Sequence, residues 1–196
     1  MAKIRLTKNE LKNQKDDLDR FERYLPMLQL RKQQLQRQIN RVHMDIDELS
    51  GKIMSFENKI NSWIDVFSEG IDISRWFKIK EIVTSTGNIA GVDIPVYGET
   101  KFETEGYDLM KTPLWVDSGI EAVRNMAQLR AQMKIKKQQE ETLQEEIRIA
   151  TQRVNLFEQV KIPEARDNIR AISIYLGDQQ TAQVIRGKIA KAKKAS

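Results

Sequence analysis

Cysteine is absent from this chain of 196 residues, so it has neither a disulfide framework nor a thiolate metal site. Histidine occurs once, as His43, with no second imidazole to share a metal and no neighbouring nucleophile. Aromatic residues are only 7% of the chain, against 31% charged residues, which describes a protein that exposes much of its surface. No stretch approaches the roughly 18 uninterrupted apolar residues of a membrane span. No early apolar run resembles a signal peptide, so a cytosolic chain, or one peripheral to a membrane, is expected.

What is present is a period. From Leu11 to Phe67 the apolar positions alternate in steps of three and four residues. One track reads Leu11, Leu18, Leu25, Lys32, Ile39, Ile46, Ile53, Ile60, Phe67, and the other Gln14, Phe21, Leu28, Leu35, Val42, Leu49, Phe56, Trp63. A strict seven-residue repeat underwinds a helix toward about 3.5 residues per turn, which predicts a left-handed supercoil around a partner helix. At about 1.5 Å per residue the rod is roughly 85 to 95 Å long. Thr7 and Glu10 have capping-box spacing and place the helix start there.

A second, weaker seam begins near Ser118: Ala122, Met126, Leu129, Met133, Lys136, Glu140, Leu143, Ile147, Ala150, Val154, Phe157. Its phase then slips by one residue, and Ile162, Ala165, Ile169, Ile172 and Leu176 carry the stripe onward. The simplest arrangement is an antiparallel helical hairpin whose paired residue numbers sum to about 185. That register leaves roughly twenty C-terminal residues projecting past Thr7, and brings Pro26 and Pro163 to one level, where a shared bend is expected.

Between the seams, Lys78 to Thr86 is rich in Ile, Val and Thr, and Val92 to Tyr97 alternates before Gly98. A short antiparallel β hairpin is expected, with Thr86-Gly87-Asn88 as its turn and Gly87, Asn88 and Gly91 supplying positive φ angles. Trp63, Trp76, Phe77 and Trp115 are expected to form a small core at the helix ends. The organisation expected is a helix over 1–68, an insert over 69–117 and a helix over 118–196. The fold class is mainly α, a long antiparallel left-handed two-helix coiled coil with a small β-hairpin insert at or near the turn end.

Charge follows the same plan. Residues 1–41 hold eleven Lys and Arg against five Asp and Glu, residues 42–117 seven against fourteen, and residues 118–196 fifteen against nine. Folding the chain back on itself joins two basic ends, and from Arg186 the last eleven residues hold five cations and no anion. Such a tip either is solvated or meets an acidic or polar partner. Arg5, Lys8, Arg186, Lys188 and Lys191 are its candidate contacts.

Chemistry is hard to find. Asp16, Asp17 and Asp19, and Glu140, Glu141, Glu145 and Glu146, have the spacing of solvated helix faces with charge partners about a turn away. Gly187-Lys188 lacks a phosphate loop's first glycine, since Ala182 stands there, and its hydroxyl residue, since Ile189 follows. No catalytic residue, metal site or cofactor is expected. Two readings from other classes stay open at this point, a nucleic-acid-binding coiled coil and a homodimeric spacer. The first is opposed by cations not interleaved with aromatics and by the acidic middle.

Two passages carry a family resemblance. Arg153 to Pro163, RVNLFEQVKIP, and Asn88 to Tyr97, NIAGVDIPVY, resemble signature stretches of the D subunits of V-type and archaeal-type ATPases. The opening Leu6-Thr7-Lys8, followed by Glu10-Leu11, is similar to that family's start. The resemblance spans nearly the whole chain and departs from the family pattern after Leu176-Gly177-Asp178. It implies a non-catalytic rotor axle, cytoplasmic and peripheral to the membrane, whose paired termini enter a head of catalytic and non-catalytic (A- and B-type) subunits. It also implies the small F subunit of the stalk on the coiled-coil flank and a membrane-side socket subunit at the turn end, with no nucleic acid and no insertion into the membrane. The candidate coupling hairpin is Asn88, Ile89, Gly91, Val92, Ile94 and Pro95.

Overall fold

In the computed structural model, the described residues are 4–62, 77–104, 106, 113 and 115–195. They form helix α1 (Lys8–Asn61), strands β1 (Phe77–Ile89) and β2 (Val92–Thr104), and helix α2 (Trp115–Asn155). A six-residue π-helical turn (Leu156–Lys161) and helix α3 (Ile162–Ala195) complete the order. The chain divides into two compact units, one of Met1–Lys32 with Ile149–Ser196 and one of Gln33–Arg148.

In the unit of residues 33–148, α1 and α2 pair antiparallel, because partners on α2 descend as those on α1 ascend. Three ion pairs cross the seam: His43 Nε2 to Glu140 Oε1 at 3.3 Å, Asp45 Oδ2 to Lys136 Nζ at 2.6 Å, and Glu57 Oε1 to Arg130 Nη2 at 3.1 Å. Their residue numbers add to between 181 and 187, close to the 185 that the sequence predicts. Leu35, Ile39, Val42 and Leu49 are buried on α1, facing a seam that includes buried Ala122 and Leu143. Lys136 and Glu140, the two charged positions of the second seam, are those that find partners on α1. A half-exposed pair of this kind contributes little stability but spares each charge an unpaired place at a seam.

Helix α2 buries more than a heptad seam requires. Ala131, Ile135 and Gln139 are also buried, although none is a seam position. The second covering element is the β hairpin. Val96 and Tyr97 line one small cavity with Gln132, Ile135 and Gln139, and the Gln139 side-chain amide donates to the Pro95 carbonyl at 2.5 Å. At the base of the hairpin Phe77 stacks on Phe102, with ring centroids 4.8 Å apart, and Phe77 packs with Val116 and Ile120, flanked by Trp115 and Val123. The Arg124 guanidinium lies 5.5 Å from the Phe102 ring centroid, a cation–π contact. Phe77 and Trp115 thus belong to the expected aromatic core, which gains Phe102, while Trp63 and Trp76 lie outside the described residues. Phe67, at the end of the predicted seam, also lies outside them.

The hairpin is longer than expected and turns later. Its two strands have 13 residues each, and Ala90 (φ 53°) and Gly91 (φ 78°) form the turn, the two-positive-φ pattern of a type I′ connection. Gly87 and Asn88 are therefore strand residues, a correction to the turn placed at Thr86-Gly87-Asn88. Gly87 is needed for space and not for φ, since a Cβ there would meet Val96 Cγ2 at 2.7 Å. Two register shifts, between Ile79 and Glu81 and between Val83 and Thr84, interrupt the ladder. The second leaves Gly98 opposite the Val83 carbonyl, where a Cβ would lie 3.1 Å from the oxygen.

In the unit of residues 1–32 and 149–196, α1 starts as the capping spacing predicts: the Glu10 N–H donates to Thr7 Oγ1 at 3.2 Å. The box is half made, because the Glu10 carboxylate accepts instead from Gln14 Nε2. Pairing is again antiparallel. Asn168 donates to Gln14 Oε1 at 3.2 Å, Arg166 pairs with Glu22 at 2.8 Å, and Phe21 meets Phe157 edge to face at 5.4 Å. Pro26 lies four residues beyond Glu22 and Pro163 three before Arg166, so in an antiparallel pair both fall about a turn from one ion pair, on the same side of it.

The one-residue slip in the second seam is the π turn itself. The Ile162 N–H bonds to the Phe157 carbonyl, five residues back, so the turn holds one residue more than an α turn. Proline at 163 has no N–H and its ring crowds the carbonyl four residues earlier, and the wide turn just before it relieves that conflict. With the added residue, Ile162, Ala165 and Ile172 are buried after Val154. Without it, Lys161 and Glu164 would point inward.

Candidate functional site

The described residues offer surfaces and no chemical centre. No group of three His, Cys, Asp or Glu among them could hold a metal ion. No described helix is long and apolar enough to cross a membrane. One cavity of about 630 Å³ is an open, mostly apolar groove lined by Ile60, Ile79, Ile82, Val123, Met126, Arg130 and Lys134 among others. Among the described residues its only polar side chains are Arg130 and Lys134, and no carboxylate, imidazole or hydroxyl lines it.

All five candidate tip cations, Arg5, Lys8, Arg186, Lys188 and Lys191, are exposed. None makes an ion pair among the described residues. The structure does not gather them at one level. The antiparallel register sets Arg5 and Lys8 opposite the stretch near Leu176, whereas Arg186 comes ten residues later, about 15 Å further along the helix. After Leu176 the described side chains of α3 are exposed except half-buried Ala182, because α1 has begun by then and no helix lies opposite. A single helix with a cationic end is what the register predicts.

The six candidate hairpin residues divide in two. Asn88 and Gly91 are exposed at the turn, where Asn88 Oδ1 accepts the Gly91 N–H at 3.1 Å and Asn88 Nδ2 donates to Asp93 Oδ1 at 2.7 Å. Those bonds explain why asparagine stands two residues before the turn's first positive-φ residue, Ala90, a signal easily misread as the turn itself. Val92 and Ile94 are buried, Ile89 and Pro95 half-buried. Val92 and Ile94 pair with Ile89 and Gly87 within the hairpin, and the Pro95 carbonyl ties it to α2 through Gln139. Gln139 is the anchor that sequence reasoning missed, because a polar residue beside a seam position leaves no periodic trace.

His43 and Glu140 serve the helix pair. On the surface the carboxylates behave as solvated faces: Asp17 pairs with Arg20 at 2.7 Å, and Glu145 receives two hydrogen bonds from Arg148. Those bonds hold the Glu145 carboxyl below its ordinary range and the Arg148 guanidinium above its own.

Antiparallel coiled-coil helices, a β hairpin tied to α2 and an exposed cationic helix end define a mainly α coiled-coil protein with a hairpin insert. The family of ATP synthase D subunits matches residues 10–192. The chain is 48% identical over 192 residues to the V-type ATP synthase D subunit of Borreliella burgdorferi, covering 98% of this chain and 95% of that protein. It is 30% identical to the V-type ATP synthase D subunit of Chlamydia pneumoniae (98% and 93% covered) and 31% identical to that of Chlamydia caviae (98% and 94%). The chain belongs to the family of ATP synthase D subunits.

Proposed function

We propose that this chain is the central axle of a rotary V-type ATP synthase, a non-catalytic stalk component that transmits torque between the ATP-hydrolysing or ATP-synthesising head and the membrane ion-translocating ring. The observation that carries the reading is intrachain antiparallel pairing continued into a lone cationic helix, in a chain related along its length to V-type ATP synthase D subunits. Torque needs a member that resists bending and twisting, and two helices locked by interdigitated side chains resist better than one. Residues 1–68 and 118–196 form the axle and residues 69–117 its insert. The tip cations Arg5, Lys8, Arg186, Lys188 and Lys191 face the catalytic and non-catalytic head subunits. The exposed hairpin turn at Asn88 and Gly91 aids coupling, the small F subunit of the stalk sits on the flank, and a membrane-side socket receives the turn end. The protein then works in the cytoplasm, peripheral to the membrane. An asymmetric axle contacts the catalytic interfaces unequally, and unequal contact biases their open and closed states.

Co-purification of the tagged chain with quantitative mass spectrometry tests this. One copy per complex with head subunits is the expected result, and recovery of only itself or of nucleic acid would contradict it. Truncation after Gly187 is expected to lower coupling efficiency more than thermal stability; equal losses would remove the tip from the mechanism.

A further inference from the structure

Within the unit of residues 33–148, the groove of about 630 Å³ between the end of α1, strand β1 and helix α2 is built from both sides. On the α2 side the space exists because Ala122, Ala127 and Ala131 stand where larger side chains would fill it. The opposite wall is made by a bulge. Successive strand residues point to opposite faces, so Ile79 and Ile82, three apart, would ordinarily face apart. Lys80 is the extra residue at the register shift between Ile79 and Glu81. It brings both isoleucines to one face, that of their cross-strand partners Phe102 and Thr100. Ile79 is 50% exposed there, because it fronts an open groove.

Polarity is graded along the groove. Residues three and four apart share a helix face, so Val123, Ala127, Arg130 and Lys134 form one stripe of α2 along it. From Ala122 to Lys134 the α2 wall is about 18 Å long. One end is apolar, with Val123, Met126 and Ala127, and both cations fall toward the other. Arg130 is shared with Glu57 at 3.1 Å, while Lys134 is exposed and makes no ion pair among the described residues. An apolar channel with cations at one end is complementary to a molecule with an apolar body and a single anionic end. An extended peptide is a poor occupant, because its backbone N–H and C=O groups would meet no polar side chain along the apolar half. A bilayer is a poor source too, since the surface is a recess between three elements and not an apolar face that can lie on a membrane.

We propose that this groove binds a free single-chain amphiphile of the long-chain carboxylate class. Its chain lies against Ile79, Ile82 and Met126, and its carboxylate meets Lys134 and Arg130. Such a ligand touches α1, β1 and α2 at once and so strengthens the attachment of the hairpin to the helix pair. The inference does not depend on the axle reading, and the purified full chain is enough to test it.

Dodecanoate, titrated calorimetrically below its micelle concentration, is expected to bind saturably at one molecule per chain and to raise the melting temperature. K134E is expected to weaken that binding about tenfold or more and to leave binding of dodecanol unchanged. A127F, which fills the groove, is expected to abolish binding of both with circular dichroism unchanged. Equal loss of dodecanoate and dodecanol in K134E would remove the carboxylate contact and overturn the proposal. Dodecyltrimethylammonium binding as tightly as dodecanoate, or unsaturable binding with a falling melting temperature, would reveal a surfactant effect and overturn it as well. Stronger binding to phosphatidylglycerol vesicles than to dodecanoate would make a membrane the source, and a photo-crosslinking residue at Ile79 that captures another subunit in the assembled complex would make the groove a protein interface. Either result would overturn the proposal and leave the axle reading in place.

Discussion

The two units use the same helix pair in different ways. In residues 33–148 the pair carries a third layer: the hairpin lies against α2, Gln139 is buried to bind the Pro95 carbonyl, and Ala131 and Ile135 are covered outside the seam. In residues 1–32 and 149–196 the pair is bare, its seam is reset by a π turn, and its last helix continues alone. The difference teaches that one heptad pattern can specify a braced segment or a presenting one. What decides is whether residues beside the seam find cover. Beside Lys136 and Glu140 they do, as buried Ile135 and Gln139 show, and beside Val154 and Phe157 they do not.

The sharpest way to break this comparison is to change the register. Deleting Gln144, in the α-helical part of α2, would turn every following seam residue about 100° away and is expected to cost more than about 4 kcal/mol of folding free energy. Deleting Gln159, within the π turn, removes the extra residue and leaves α3 close to its present phase, so it is expected to cost far less. Denaturant titrations of both variants decide it, and similar losses would mean that the π turn is not what resets the seam.

A smaller effect is expected at the brace. Gln139→Ala leaves the Pro95 carbonyl without its donor and is expected to destabilise the unit of residues 33–148 by about 1–3 kcal/mol. Amide exchange should quicken across β1 and β2 and stay unchanged around Phe21 and Ile172. Two glycines give opposite signs. Gly87→Ala drives a methyl into Val96 and is expected to cost about 1–3 kcal/mol. Gly51→Ala meets nothing within 4 Å on an exposed helix face and is expected to gain about 1 kcal/mol. Thermal melts of the pair check both signs.

The smallest effect concerns acid. The Glu145 carboxyl is held below its ordinary range by Arg148, so its contribution is present above the unfolded-state value and is lost as pH falls through the lower folded one. Both side chains are well exposed, and Glu145→Gln is expected to leave the melting temperature at neutral pH almost unchanged.

Much of this is legible in sequence, and the limits have physical reasons. Every described seam residue of α1, from Leu11 to Ile60, is buried or half-buried, because a seven-residue period leaves a helix one face to hide. The slip after Val154 is visible as an offset, but the hydrogen bond that makes it, from Ile162 to Phe157, is a backbone event with no residue signature beyond Pro163. The hairpin turn is misplaced by composition because Gly87 and Asn88 have turn chemistry for other reasons, close approach of Val96 in one case and side-chain support of Gly91 in the other. The projection of Arg186, Lys188 and Lys191 past Arg5 and Lys8 is legible too, because the antiparallel register fixes where α1 begins against α3. Gln139 and the groove beside Ile79 escape such a reading because tertiary cover, or its lack, is not periodic.

An axle turns inside its complex, and because this chain has no cysteine of its own, one introduced thiol marks a single place on it. Asn88→Cys supplies that attachment point beside the exposed hairpin turn for a bead or gold rod, in a purified complex whose other subunits have had their accessible cysteines replaced and whose head is fixed to a surface. Rotation in one direction on addition of ATP, halted when ATP is withdrawn, is the predicted result. A label that stays still while the fixed head hydrolyses ATP would contradict the account.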